Sequence, residues 1–385
     1  MDYPCGAAMD LGTTTLALRL FSLGEGRELS RAAAINPQTA VAADVIGRMS
    51  AAIAGGGAAL QQMAEDGLAG LLADACGKAG ISMEDVTRMV IAGNTTMLYL
   101  LTGMDPKPLS RAPFRAETLF GENRRILGRE AFLPRCMDAF VGADLTCAVL
   151  ASGMTEKKET ALLADIGTNG EIALWHREKL YATSTAAGPA FEGASISCGC
   201  GAMPGAIDRI TQAEGRLYVH TIGDQPPKGL CGSGLIDAVA ALRALEELDT
   251  HGNMVQEAIP LCPGVVLTRE DIRQVQLAKG AMAAGMFALL EMVGVDPEEV
   301  GTLYIAGEFG SHLNVASAAA IGLIPRRWVS RTRGIGNAAL DGAGRMLLTP
   351  EDREKGTALA KSARPVRLGG SPRFERLFMK MMNFE

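Results

Sequence analysis

Two short stretches of the sequence join a carboxylate to glycine and hydroxyl residues in an order that suits phosphate chemistry. Asp10 begins "DLGTTT", and Asp165 begins "DIGTNG" 155 residues further along the chain. Glycine lets a backbone approach a phosphate closely, and N–H groups and threonine hydroxyls donate hydrogen bonds to its oxygens. The carboxylate can hold a water bound to Mg²⁺, which keeps several waters in proteins. Either turn alone reads as an ordinary hairpin, but the two together predict both halves of a nucleotide site.

Each turn lies in the same succession of predicted elements. Strand-like segments surround the turns, at 7–10, 15–21 and 28–35 in the first half and at 161–165, 170–176 and 179–185 in the second. Strand–glycine–helix junctions follow at 88–101, 139–153 and 302–314, and long helical runs at 59–79 and 269–294. Three strands followed by strand–helix units, twice over, predict a duplicated mixed α/β architecture.

The length of 385 residues exceeds what one ordinary core supports, so two domains are predicted. We expect domain I over 1–157 and domain II over 158–385. No low-complexity linker separates them, and the segment near 154–160 is expected to act as a hinge.

Composition excludes several classes of partner and compartment. The net charge is −6, and the sequence has no block of five basic residues, so neither nucleic acid nor a membrane surface is an expected partner. The apolar stretch 280–295 is interrupted by Glu291 and is too short for a bilayer span. The first residues lack the basic start of a signal peptide, and the eight cysteines are irregularly spaced. These features predict a cytoplasmic protein with mostly reduced thiols.

Longer stretches resemble a known family. "DLGTTT", "DIGTNGEIAL" (165–174) and "IAGEFGSHLN" (305–314) resemble the two phosphate motifs and the adenosine motif of the actin–Hsp70–sugar kinase superfamily. More narrowly, the chain resembles the ATPase portion of the reductive activators of corrinoid proteins. The stretches that carry this resemblance are "NPQTAVAADVIGRM" (36–49), "AGNTTM" (92–97), "AAGPAFEGASISCG" (186–199), "GLCGSGLIDAV" (229–239), "VQLAKGA" (275–281), "IGNAALDGA" (335–343) and "SPRFERLFMKMM" (371–382). The resemblance implies a duplicated ribonuclease-H-like, actin-like ATPase fold with nucleotide in an interdomain cleft.

The resemblance also implies roles for individual residues. Asp10 and Asp165 would be catalytic, orienting Mg²⁺ and the attacking water. The residues expected to bind ATP are Gly12, Thr13, Thr14, Gly167, Thr168, Asn169, Gly232, Ser233, Gln276, Lys279, Gly307 and Glu308. Gln276 and Lys279 are spaced to share one helical face, where the superfamily places ribose and adenine contacts. The loop at Gly232 and Ser233 opens a helix, so it either touches nucleotide or serves only as the helix cap.

The activity that the resemblance implies is ATP hydrolysis coupled to reduction of a corrinoid protein from Co(II) to Co(I). The expected cofactors are ATP and Mg²⁺, and the expected partners are the corrinoid protein and a separate low-potential electron donor. The resembled activators carry a ferredoxin module, whereas this sequence has no C-x₂-C motif. Cys198 and Cys200 supply only half of a cluster's ligands, so pocket-lining thiols are favoured over an iron–sulfur cluster.

Other functions remain open from the sequence. The alternatives are a small-molecule kinase of the same superfamily, an ATPase activator of a 2-hydroxyacyl-CoA dehydratase-like enzyme, and a non-catalytic nucleotide-binding regulator. A P-loop is excluded because no G-x-x-x-x-G-K-[ST] motif is present. The sequence does not identify the corrinoid protein, the donor or the oligomeric state. The resemblance suggests a homodimer, and the helix predicted at 374–382 is expected to pack on the protein's own core.

Overall fold

The computed structural model describes residues 4–307 and 312–385. The strands are, in chain order, β1 (Cys5–Leu11), β2 (Thr15–Ser22), β3 (Glu28–Ile35), β4 (Val86–Gly93), β5 (Glu122–Ile126), β6 (Arg129–Leu133), β7 (Thr160–Ile166), β8 (Asn169–His176), β9 (Lys179–Ala186), β10 (Ala206–Ala213), β11 (Arg216–Thr221), β12 (Gly229–Leu230), β13 (Ala258–Cys262), β14 (Val265–Thr268), β15 (Val300–Ala306), β16 (Thr332–Gly336) and β17 (Arg364–Pro365). The helices are α1 (Val45–Ala51), α2 (Gly57–Ala79), α3 (Thr95–Leu101), α4 (Lys107–Ser110), α5 (Ala143–Ser152), α6 (Gly232–Ala244), α7 (Arg269–Val293), α8 (Val315–Ala320), α9 (Ala338–Leu348), α10 (Pro350–Ser362) and α11 (Pro372–Met381).

The described residues form two compact units. The first contains the chain up to Lys157 together with Glu178–Ala182 and Ala338–Pro365. The second contains Lys158–Arg177, Thr183–Asn337 and Val366–Glu385.

The sheet of the first unit has the strand order β3-β2-β1-β4-β6-β5. β1 is antiparallel to β2 and parallel to β4, which is parallel to β6. Its central strands are buried on both faces, because alternate residues enter two different apolar clusters. Met9 and Ile91 belong to a cluster on the α2 and α3 side, whereas Ala8 and Val90 belong to a cluster that includes residues of α5 and α9. The first unit therefore has three layers, with helices on both sides of the sheet.

The second unit repeats the arrangement of the first sheet. β7 is antiparallel to β8 and parallel to β15, which is parallel to β16. The neighbours β16-β15-β7-β8 thus match β6-β4-β1-β2 in order and in direction. α7 packs on β7 and β8 and is fixed at its start by a capping box between Thr268 and Asp271. The predicted duplicated ribonuclease-H-like fold is confirmed.

Smaller elements complete the second unit. β10 forms a sheet with β11 and β12, and α6 packs on β10. β13 and β14 form a hairpin directly before α7. The C-terminal helix α11 packs along α7, with an ion pair of 3.0 Å between Arg373 and Glu291. Core packing of this helix within its own chain was the sequence-based expectation.

Two local features differ from the sequence-based expectations. A strand was expected near Ala139, but the segment there forms only an isolated bridge between Asp138 and Val141 before α5. The contact-based units also differ from the contiguous division at 157/158. α9 packs against β1, β4 and α5 of the first unit, so the segment 338–365 joins that unit through packing rather than sequence order. The division into domains 1–157 and 158–385 stays a prediction.

Among the helices that the structure describes, none combines the length and the apolar character needed to cross a membrane.

Candidate functional site

The first phosphate turn joins β1 to β2, and side chains from three other segments fix its backbone. Asn36 Nδ2 donates to the Gly12 carbonyl oxygen at 2.8 Å, and the Asn36 N–H donates to the Thr14 carbonyl oxygen at 2.8 Å. Arg48 Nη2 donates to the Thr13 carbonyl oxygen at 2.6 Å. Asn94 Nδ2 donates to Thr13 Oγ1 at 3.1 Å. Three consecutive carbonyls and one hydroxyl of the turn are therefore held by protein donors.

Gly12 has a steric reason to be glycine. A Cβ at this position would lie 2.4 Å from the Thr15 carbonyl oxygen, which belongs to the same turn and has little freedom to move. Asp10, at the end of β1, stands opposite Ala17 in the antiparallel pairing and is partly exposed. The turn thus combines a tight backbone, two threonines and a solvent-accessible carboxylate, which is the donor and acceptor set that a Mg-bound phosphate requires.

The second phosphate turn joins β7 to β8 in the same way. Asp165 stands opposite Glu171 in β8 and beside Ala306 in β15, and Asn169 is the first residue of β8. Thr168 is buried, with 6% of its surface exposed. Its N–H donates to Glu192 Oε1 at 2.7 Å, and its hydroxyl donates to Glu192 Oε2 at 2.8 Å. The Glu192 carboxylate, 24 residues further along the chain, therefore accepts from both hydrogen-bond donors of Thr168.

The structure brings Gly307 of the adenosine motif against this second turn. Its φ of +110° lies in a region that side chains other than glycine rarely adopt, and a Cβ would lie 2.6 Å from the Ile166 carbonyl oxygen. The same Cβ would lie 3.5 Å from Asp165 Oδ1. Asp165, Gly167 and Gly307 thus share one corner at the ends of β7 and β15. Glu308, which was also predicted to line the adenosine pocket, lies outside the described residues.

Gln276 and Lys279 lie one turn apart on α7 and are both buried. Gln276 Nε2 donates to the His251 carbonyl oxygen at 2.8 Å. Lys279 is 1% exposed, and its ammonium donates to the carbonyl oxygens of Gly322 and Asn383. Burial lowers the pKa of Lys279 to about 7, and the nearby Glu385 carboxylate partly opposes that shift. Both polar groups are engaged by loops and by the C-terminal segment, and their nucleotide contacts stay a prediction.

Gly232 and Ser233 form the first turn of α6. Ser233 is 3% exposed, and its hydroxyl lies 3.3 Å from the Sγ of Cys231, the N-cap residue. Gly234 packs directly on β10, because a Cβ there would lie 2.0 Å from the Ile207 carbonyl oxygen. The structure therefore gives this loop a packing role, and its contact with nucleotide stays a prediction.

The pair Cys198 and Cys200 lies beside β12. The Cys200 N–H donates to the Leu230 carbonyl oxygen at 2.9 Å, and the Leu230 N–H donates to the Cys198 carbonyl oxygen at 2.7 Å. Burial, followed by the neighbouring Cys231, raises the pKa of the Cys200 thiol. Within residues 4–307 and 312–385, no group of three or more His, Cys, Asp or Glu side chains could hold a metal ion.

Several residues that contact the two turns had no role predicted from the sequence. Asn36, Arg48 and Asn94 lie in the quoted stretches "NPQTAVAADVIGRM" and "AGNTTM", but a role for each appears only through its contact with the first turn. Glu192 lies in "AAGPAFEGASISCG" and likewise had no assigned role. A local signal was present at Asn94, whose position before a predicted helix is typical of an N-cap. Its side chain accepts from the Met97 N–H at 3.0 Å.

Two matching sheets, each with an Asp-x-Gly-Thr turn after its first strand, define an actin-like (ASKHA) fold. Comparison with known sequences agrees. Two family models match the chain: the RACo middle region over residues 5–157, and the C-terminal domain of RACo, described as the ASKHA domain, over residues 159–385. The chain belongs to the RACo family, the reductive activators of corrinoid proteins.

Two curated relatives and one solved structure are similar over most of this chain. The corrinoid activation enzyme RamQ of Eubacterium limosum is 32% identical, over 97% of this chain and 69% of the relative. The [Co(II) methylated amine-specific corrinoid protein] reductase of Methanosarcina barkeri is 25% identical, over 83% and 66%. A solved reductive activator for corrinoid, iron–sulfur protein superposes with a TM-score of 0.94 and 30% identity, over 99% of this chain and 66% of that one. The chain therefore spans about two thirds of the length of these proteins.

Proposed function

We propose that this chain is the ATP-hydrolysing part of a reductive activator, which drives reduction of a corrinoid protein from Co(II) to Co(I) with electrons from a separate low-potential donor. The observation that carries the proposal is the pair of Asp-x-Gly-Thr turns on matching sheets, in a chain of the RACo family. The names of its relatives, a corrinoid activation enzyme and a Co(II) corrinoid protein reductase, support the partner and the direction of the reaction.

The residues of the two turns fit a Mg-nucleotide. Gly12 and Gly307 occupy positions where a side chain would collide with neighbouring backbone, so glycine allows both tight turns to form. The hydroxyls of Thr13 and Thr168 and the neighbouring N–H groups are suitable donors to phosphate oxygens. Asp10 and Asp165 would hold Mg²⁺ through water, the mode in which one or two carboxylates suffice because substrate phosphates complete the coordination.

Hydrolysis needs a water held in line with the terminal phosphate, and Asp165 is the proposed residue for that task. Coupling to the corrinoid protein requires that the partner bind the ATP form and the ADP form of this chain with different affinities. ATP hydrolysis converts the ATP form into the ADP form. Because the corrinoid protein binds the two forms with different affinities, this conversion can supply free energy for reduction to Co(I).

The test is ATP turnover in the presence of a Co(II) corrinoid protein and a titanium(III) reductant. We expect formation of Co(I), followed by its absorbance, to depend on ATP. Asp165→Ala should abolish turnover and leave nucleotide binding weakened but measurable, because the proposed role is to position water. Asp66→Ala is the matched control, since its carboxylate on α2 is exposed and accepts a hydrogen bond from Gln62.

Full turnover in Asp165→Ala would remove Asp165 from the mechanism. ATP consumption that follows a small-molecule acceptor and not the corrinoid protein would contradict the activator function and support a kinase.

A further inference from the structure

Glu192 makes a two-point contact with the second phosphate turn. Its two carboxylate oxygens accept from one residue: Oε1 from the Thr168 N–H at 2.7 Å and Oε2 from the Thr168 hydroxyl at 2.8 Å. Oε1 also lies 3.0 Å from the position that a Cβ on Gly167 would take. An anion with two oxygens is thus seated directly on the Gly167–Thr168 turn.

The donors that Glu192 occupies are those that the turn would offer to a phosphate. A phosphate bound there would accept from the same N–H and the same hydroxyl. Each of these donors carries one hydrogen, so a well-formed contact with the phosphate excludes the contact with Glu192. Two anions at this distance also repel each other. A phosphate must therefore displace the carboxylate before the turn can bind it.

The segment that delivers Glu192 is held against the second turn. It is a single 3₁₀ turn, Pro189–Glu192, between Gly188 with φ of +78° and Gly193 with φ of +79°. The Gly188 N–H donates to the Thr168 carbonyl oxygen at 3.0 Å, which ties the segment to the same turn. Ala190 and Phe191 are each 2% exposed, whereas Glu192 is only partly buried. Partial exposure leaves the Glu192 side chain room to rotate away from the turn.

We propose that Glu192 is an internal phosphate mimic, which holds the second turn in the nucleotide-free protein and is displaced when a nucleotide phosphate binds. The inference rests on the proposed nucleotide site and adds a competition within it. Glu192 fills the donors of Thr168 when nucleotide is absent, which keeps the turn ordered. The same contact lowers the affinity for any ligand that brings a phosphate to this turn, and leaves contacts to adenosine unaffected.

The test is a comparison of dissociation constants for Mg-AMP-PNP, Mg-ADP and adenosine, measured by titration calorimetry. Glu192→Ala removes the competing anion and is expected to bind at least one phosphate-bearing nucleotide about ten-fold more tightly, since charge-assisted hydrogen bonds no longer have to be broken. Glu192→Gln keeps the shape without the charge and should give a smaller gain. Adenosine should bind all variants equally. Glu257→Ala, an exposed carboxylate of the same unit, is the matched control.

The outcomes separate this inference from the proposed function. Unchanged nucleotide affinity in both Glu192 variants overturns the mimic, and a fall in kcat with unchanged affinity would instead make Glu192 a water-positioning residue. Absence of nucleotide binding in the unmodified chain overturns the proposed function itself. Circular dichroism of each variant shows whether it is folded, and the Gln variant retains the test if the Ala variant unfolds.

Discussion

Replacement of Arg48 by Met is predicted to destabilise the first unit and to loosen its phosphate turn. Arg48 lies on α1 and is fully buried. Its Nη2 donates to the Thr13 carbonyl oxygen at 2.6 Å, its Nε to the Ala42 carbonyl oxygen at 3.0 Å, and its Nη1 to Gln38 Oε1 at 3.3 Å. Methionine retains much of the apolar stem and removes every donor, so the substitution measures the contribution of the guanidinium group.

The magnitude follows from two opposing contributions. Two buried acceptors and the partly buried Ala42 carbonyl lose their donor, at about 2 kcal/mol each. Burial lowers the pKa of Arg48 from 12.5 to about 10, with Asp44 partly opposing the shift. Removing the buried charge therefore offsets about 3 kcal/mol of this loss of unfolding free energy. The net loss of unfolding free energy is about 3 kcal/mol, comparable with the effect of breaking other buried charged contacts.

Urea unfolding followed by circular dichroism measures the loss, and nucleotide titration measures its effect on the turn. Arg31→Met is the control. Arg31 is an exposed strand residue whose ion pair with Glu28 at 2.7 Å is expected to contribute under about 1 kcal/mol. We expect Arg48→Met to weaken nucleotide binding as well, because the Thr13 carbonyl is no longer held. A loss of stability no larger than that of Arg31→Met would refute the reasoning.

Three further predictions concern other parts of the chain. Gly12→Ala should weaken nucleotide binding at least about ten-fold and lower the free energy of unfolding by about 1–3 kcal/mol, because the Cβ meets the Thr15 carbonyl oxygen. The control is Gly77→Ala, whose Cβ meets nothing within 4 Å; it should leave nucleotide binding unchanged and the free energy of unfolding equal or higher. Burial lowers the pKa of Lys279 from 10.5 to about 7, so between these pH values the native state binds fewer protons than the unfolded state. The free energy of unfolding should therefore rise with pH from about 7 to 10, by up to about 1.4 kcal/mol per pH unit. Urea unfolding at pH 7 and pH 9 should show that slope reduced in Lys279→Met, and an equal slope in both proteins would contradict it. Anaerobically purified protein should be free of iron and sulfide and should reduce a corrinoid protein only when a separate reductant is added; stoichiometric iron that Cys200→Ser removes would show that this expectation is wrong.

Local patterns in the sequence were sufficient to predict a duplicated mixed α/β architecture, and the family resemblance identified it as ribonuclease-H-like. The two Asp-x-Gly-Thr turns, the three strands around each turn and the long helices α2 and α7 all depend on residues close in sequence. Their patterns are therefore visible without a structure. The same patterns missed β5, an edge strand whose sequence "ENRRI" is mostly exposed. Charged residues suit an exposed sheet edge, but a strand made of them lacks the alternation of apolar and polar residues that identifies other strands.

The sequence by itself therefore predicted the duplicated fold and the family, and located the two Asp-x-Gly-Thr turns, whose binding of phosphate stays a prediction. Only the tertiary structure decided what surrounds those turns. Glu192 reaches Thr168 from 24 residues away, and Arg48 reaches Thr13 from 35 residues away. Segment 338–365 joins the first unit, and Lys279 is covered by residues near 383. These contacts join residues distant in sequence, and local periodicity carries no information about them, because chain topology and packing bring such residues together.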